Sequence, residues 1–146
     1  MDAFYARNHG LRVRFQERED FLIDKMQSQV NADARLVHRG RWVNLTFLFG
    51  ISNDDYLISI VAGKITAIRR RHLATDTGEF SIRASAESWA KHWQAVPPRD
   101  YHDIFAMLPK QIAKIDGRLE PLMQNLQYFK DIIAKMRNEA GDTNGH

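Results

Sequence analysis

The chain has 146 residues, enough for one domain with its own core, and its 44% hydrophobic and 27% charged content is that of a globular protein. It has no cysteine, which excludes disulfides, thiolate nucleophiles, zinc ribbons and iron–sulfur sites. The net charge of +3 carries no one-sided basic cluster of the kind nucleic acid needs, and no apolar run approaches the ~18 residues of a membrane span.

Residues 1–14 are polar and arginine-rich without a period, and are expected to form an N-terminal arm. They lack the apolar core of a signal peptide, so a cytoplasmic location is the expectation. From Gln16 to about Ala34, Leu22, Met26 and Gln29/Val30 fall at helical spacing, flanked by Phe21 and Ile23, and Glu17, Glu19 and Asp20 suit a helix N-terminus.

A strand pattern follows. Val43, Leu45, Phe47 and Phe49 alternate with Trp42, Asn44, Thr46 and Leu48; after a Gly/Ser/Asn/Asp turn, Tyr56, Ile58 and Ile60 alternate with Leu57, Ser59 and Val61. Ala62-Gly63-Lys64 reverses the chain into Ile65–Ile68, and a looser connection leads to Phe80, Ile82 and Ala84. Connections this short favour antiparallel neighbours, so the first four strands read as a meander. Arg69-Arg70-Arg71-His72 sends two side chains to each face and reads as a solvated strand end rather than an anion site.

The pattern then turns helical. Ser85 is a good N-cap with Glu87 in the first turn, and Trp89, His92, Trp93 and Val96 share a face until Pro97-Pro98. Asp100 is expected to cap a second short helix carrying Tyr101, Ile104, Phe105 and Leu108, ended by Pro109. A brief strand-like Gln111–Asp116 stops at Gly117. Pro121 then opens a long helix in which Leu122, Leu126, Phe129, Ile133 and Met136 repeat at spacings of four and three. Residues 15–137 therefore read as a single domain, and 138–146 as a disordered tail.

Enzyme signatures are missing from the sequence: there is no phosphate loop, nucleophile elbow or His-Glu-x-x-His helix. His92 and His102 have no carboxylate at metal-ligand spacing, and Asp20 and Asp24 read as a solvated helix face, so neither metal nor cofactor is expected. The large residues gather in the helical half: Trp89, Trp93, Phe105, Met107, Leu108, Met123, Leu126, Phe129 and Ile133. They suit an ordinary core, or the wall of an apolar cavity that His92, Tyr101, Ser59 and Thr66 would equip with a few polar groups.

Val43-Asn44-Leu45-Thr46-Phe47, Tyr56–Ile60, Gly63-Lys64-Ile65, Ser81–Ser85 and Glu87-Ser88-Trp89, followed by Ile104–Leu108, Ala113–Gly117 and Leu119–Leu126, resemble the sterol carrier protein type two (SCP-2-like) domain over about residues 40–136. The resemblance implies an α+β fold: a five-stranded, mostly antiparallel sheet covered on one face by helices, with an apolar tunnel between the layers. It places Trp89 and Trp93 near the tunnel wall and Phe105 and Leu108 at its floor or mouth, with Leu122, Met123, Leu126 and Phe129 in the lid. With Phe47, Ile58, Ile60, His92 and Ile133 these form the candidate ligand-binding set. The implied role is non-catalytic carriage of a hydrophobic small molecule or lipid (a fatty acid, acyl-CoA or sterol-like lipid) without cofactor, nucleic acid or stable membrane insertion. The alternative is a small cofactor-independent isomerase, hydratase or cyclase using His92, Tyr101 or His102 on a hydrophobic substrate. A third reading is a homodimer formed through the last helix.

Overall fold

The computed structural model describes residues 23–137; the expected arm, the start of the first helix with Asp20, and the tail lie outside the described residues. In chain order the elements are α1 (23–32), α2 (Ala34–Arg39), β1 (Asn44–Ile51), β2 (Asp54–Val61), β3 (Lys64–Arg70), β4 (Phe80–Ala84), α3 (Ala86–His92), β5 (Ala113–Gly117), α4 (Glu120–Gln124) and α5 (Leu126–Ala134). The five strands form one sheet in the order β3-β2-β1-β4-β5.

Local chemistry sets most of these boundaries. Asp33 leaves helical geometry (φ −91°, ψ 96°) and its carboxylate accepts from the Leu36 N–H at 3.1 Å, which ends α1 and starts α2. Ser85 caps α3 in the same way, accepting from the Ser88 N–H at 3.0 Å. The β2–β3 turn has positive φ at both central residues, Ala62 (51°) and Gly63 (82°), the backbone twist that suits a two-residue hairpin. Gly63 is required twice over, since a Cβ there would also stand 2.9 Å from the Gly40 carbonyl carbon at the end of α2.

Three expectations are corrected. The first three strands form a meander, but β4 pairs parallel with β1, Leu48 to Ser81 through Ile51 to Ala84, rather than antiparallel with β3. The β2–β3 hairpin lies between these two strands in sequence, which supplies the long connection a parallel pair needs. The other three pairings are antiparallel, so the sheet is mixed but mostly antiparallel. The second short helix does not form: residues 104–111 make a succession of turns, in which Asp103, rather than Asp100, supplies the side-chain acceptor, to the Phe105 N–H at 2.7 Å. The long last helix is also broken, at Asn125 (φ −125°, ψ 35°), into α4 and α5.

All five helices pack on one face of the sheet. Phe47, Phe49 and Ile51 of β1, Tyr56, Ile58 and Ile60 of β2, Ile65, Phe80, Ile82 and Ala113 join Met26, Val30, Leu36, Trp89, Leu122, Phe129, Ile132 and Ile133 in a single core. On the opposite face Leu48 and Leu57, cross-strand partners, are also fully buried but stand apart from that core. The nine residues 71–79 that carry the chain from β3 to β4 run over this side, where Leu48 lines a cleft with Arg71, Thr77 and Gly78. The edge strand β3 is also covered, because Asn31 of α1 both accepts from the Ile65 N–H and donates to its carbonyl, each at 2.8 Å.

Candidate functional site

The space between helices and sheet is occupied by rings. Phe49 lies 4.7 Å from Trp89 and 6.4 Å from Trp93, and the two indoles stack on each other at 5.8 Å. Phe129 of α5 stands edge-on to Phe47, Phe80 and Tyr128 at 5.5, 5.1 and 5.3 Å. These are the offset and T-shaped arrangements that the ring quadrupole favours. The polar ends of the rings are all engaged: Trp89 Nε1 donates to the Gly50 carbonyl and Trp93 Nε1 to that of Ile133, each at 2.9 Å, while the Tyr128 hydroxyl donates to the Gly63 carbonyl at 2.7 Å. Burial pushes the Tyr128 phenol pKa well above its usual range, so it remains a donor.

Of the candidate ligand-binding set, Phe47, Ile58, Ile60, Trp89, Trp93, Leu122, Phe129 and Ile133 meet in this one core, and Phe105, Leu108 and Leu126 pack half-buried against it. His92 is buried at the edge of the tryptophan stack, its ring 5.8 Å from that of Trp89. Met123 stands away from the others, 54% exposed on α4. Two of the polar residues considered for the cavity lie on the other side of the sheet: Ser59 bonds the Thr46 hydroxyl at 2.9 Å, and Thr66 is exposed and bonds the Ser59 carbonyl. Strand alternation places them there, since Ile58, Ile60 and Ile65 point inward. The layer also contains Phe49, Phe80 and Tyr128, which the candidate set omits. Phe49 and Phe80 stand on inward strand positions, and that alternation was the available signal.

The roof of the layer, α5, is bordered by clefts on both flanks. One, of about 330 Å³, lies between Asp33, Arg35, Leu36 and Arg39 on one side and Asp131, Ala134 and Lys135 on the other. The second, of about 230 Å³, is lined by His92, His102 and Asp103 opposite Gln127, Lys130 and Arg137. Ion pairs bridge both: Asp33–Lys135 at 2.6 Å and Arg39–Asp131 on one flank, Asp103–Lys130 at 2.5 Å on the other. For Asp103, burial works to raise the carboxyl pKa, but Lys130 and the Phe105 N–H outweigh it and hold the group below its usual value.

Among the described residues no group of three or more histidines and carboxylates is placed to hold a metal, and no helix is long and apolar enough to cross a membrane. The basic run resolves into ion pairs: Arg69 with Asp76, Arg70 with Asp54, and Arg71 with Asp55, which also receives Arg83.

No protein-family model matches the chain, and no curated protein matches it in sequence. Solved structures do match in shape. A crystal structure of sterol carrier protein 2 superposes with a TM-score of 0.64 at 9% identity, over 82% of this chain and 95% of that one. UbiJ-SCP2, a ubiquinone synthesis protein, does so at 0.53 and 12% identity, over 77% and 85%. The sterol carrier protein domain 2 of Helicoverpa armigera gives 0.50 at 14% identity, over 83% and 90%. With the sheet order, the helical face and these three superpositions in agreement, the chain has the SCP-2-like fold that its sequence pattern resembles.

Proposed function

We propose that this protein is a carrier or binding domain that holds an apolar small molecule between α5 and the sheet and releases it unchanged. The observation that carries this reading is an interlayer of large rings roofed by a nine-residue helix with clefts along both flanks. The ligand class is a fatty acid, an acyl-CoA or a sterol-like lipid.

Because the rings touch one another, a guest enters by lifting α5 and taking the place of the contacts around Phe129. Magnitudes favour this exchange. A chain of roughly sixteen carbons gains about 0.8 kcal/mol per buried CH₂, some 12 kcal/mol in gross terms. Parting Phe129 from the strand rings Phe47 and Phe80 forfeits about 0.5–1.5 kcal/mol each. Enough remains to offset the ordering of guest and helix.

The enzyme alternative requires a polar pair of shifted pKa inside the layer. The buried titratable rings there include His92, whose partner is the backbone carbonyl of Tyr101 at 2.7 Å, and Tyr128, whose hydroxyl donates to the Gly63 carbonyl, so neither of these is paired with a carboxylate. His92 and His102 line one cleft beside α5, but His102 is exposed and Tyr101 does not line that cleft. Binding is therefore the better-supported reading.

Native mass spectrometry of the purified protein, followed by solvent extraction and titration with a fluorescent fatty acid, tests the proposal. A co-purifying lipid, or saturable uptake of one probe per chain, is expected. A protein that carries nothing and takes up no apolar probe overturns it.

A further inference from the structure

Among the described residues, His92 Nε2 is the buried side-chain nitrogen with no hydrogen-bond partner. The other ring nitrogen explains its state. Nδ1 lies 2.7 Å from the Tyr101 carbonyl oxygen, and since a carbonyl can only accept, Nδ1 carries the proton. In the neutral ring Nε2 is then a bare lone pair. Arg137 holds its charge beside the ring, donating from Nε to the His92 carbonyl at 3.0 Å and from Nη2 to the His102 carbonyl at 3.1 Å, with Nη2 3.3 Å from Nδ1. Burial foremost, and that guanidinium with it, lower the imidazole pKa, while the Tyr101 bond opposes them. The protein thus keeps an acceptor, neither a donor nor a cation, next to the stacked indoles of Trp89 and Trp93.

No described residue uses that acceptor. Buried polar atoms nearly always find a partner, and one left unmet disfavours the structure that holds it. A phenylalanine would fill similar space on α3 without this unmet acceptor, at the expense of the donor to the Tyr101 carbonyl. His92 stands where the tryptophan stack meets the cleft beside α5, and a guest that satisfies a lone pair there is an O–H at the end of an apolar skeleton.

We propose that His92 Nε2 is the polar anchor of the ligand site, accepting a hydrogen bond from a terminal hydroxyl, so that the site selects apolar alcohols over carboxylates and esters of the same skeleton. This rests on the carrier reading above and narrows it. Ester oxygens only accept, and would set lone pair against lone pair; an ionised carboxylate does the same and brings a charge into the layer. A hydroxyl donates.

The test uses the full chain at pH 7.5 and a bound fluorescent polyene, displaced in turn by 1-hexadecanol, methyl palmitate and palmitic acid. Hexadecanol is expected to compete about tenfold more tightly than the methyl ester, as expected for one buried acceptor satisfied, and palmitic acid to trail both. In His92→Phe the ratio of the alcohol's to the ester's competition constant, each read against that variant's own polyene affinity, falls to about one. A nitrogen-15 spectrum of the histidine side chains reads the wild-type protein directly: the unprotonated Nε2 signal shifts with hexadecanol and not with the ester, whether or not the variant folds. Equal competition by alcohol and ester in the wild type, or a preference that survives in His92→Phe, overturns the anchor and leaves the carrier standing. A protein that binds neither the polyene nor any competitor overturns both.

Discussion

The two faces of the sheet are covered in different ways. Outside, the buried Leu48 lies against Arg71, Thr77 and Gly78 of a backbone crossing whose two ends are themselves paired in the sheet, at β3 and β4. Asp55 clamps it there, taking Arg71 and Arg83 at 3.1 Å each. Inside, the cover is α5, fastened by side chains: the Tyr128 hydroxyl, the Trp93 indole and the ion pairs along its flanks. Lifting the outer cover breaks strand pairing, whereas lifting the inner one costs ring contacts and a few polar bonds. The difference suggests that only the helical side can open without unfolding the protein.

The largest expected effect is on stability. Trp89→Ala removes a fully buried ring, its contacts with Phe49 and Trp93, and the donor to Gly50. A loss of about 3–5 kcal/mol in urea unfolding follows from the cavity and the orphaned carbonyl. Trp89→Ala is thus a poor probe of binding by itself, and gentler changes sharpen the contrast between the faces. Leu57→Ala should cost roughly 2–4 kcal/mol, as a buried leucine does, yet leave probe affinity within about twofold if the guest binds on the helical face as proposed. Phe129→Leu should cost only about 1 kcal/mol and weaken the probe roughly threefold or more through lost ring surface. If the two variants affect the probe equally, the faces are not distinct in the way described.

Acid should destabilise the inner face through His92. Its folded pKa lies below the ordinary histidine value of 6.5, so between the two the unfolded chain takes up a proton that the folded chain does not. Stability from this group is therefore complete above pH 6.5 and declines as the pH falls through that value. The sequence contains six histidines, so the measurement is a difference. Unfolding free energy followed from pH 7.5 to 5 should fall more steeply for the wild type than for His92→Phe. Parallel curves would mean that the ring protonates freely and is not held as an acceptor.

Much of this was legible in the residues. Alternation through Phe47, Phe49, Tyr56, Ile58 and Ile60 marked the inner face, and Ser85 marked the start of α3, because period and capping are local properties. The partner of β4 was not legible, since a nine-residue loop has no chemistry that names the edge it crosses to. A hint lay in β1 and β2 themselves: leucines at the outward positions 48 and 57 signal a second covered face. The break at Asn125 was hidden by an apolar spacing that continues across it, and α2 by its six-residue length. The lone pair of His92 could not have been found from sequence, because it follows from a carbonyl nine residues away.

The smallest expected effect concerns the fastening of the roof. Lys135 pairs with Asp33, whose carboxyl it holds below its usual pKa together with the Leu36 N–H, and Lys130 pairs with Asp103 across the opposite cleft. All four side chains are about one-third exposed or less, and pairs of this kind contribute at most about 1 kcal/mol each. Lys130→Gln with Lys135→Gln should therefore lower stability only slightly. Their influence should appear in the rate of uptake instead, since on the proposed route α5 moves before a guest enters. Between about 50 mM and 500 mM salt, screening should speed probe association in the wild type by roughly twofold and the double variant by less, since the variant retains only the Arg39–Asp131 pair of the three. A salt-independent rate in the wild type, with binding intact, would show that the guest enters without parting these pairs, and the opening would then have to be sought along another edge of the helical layer.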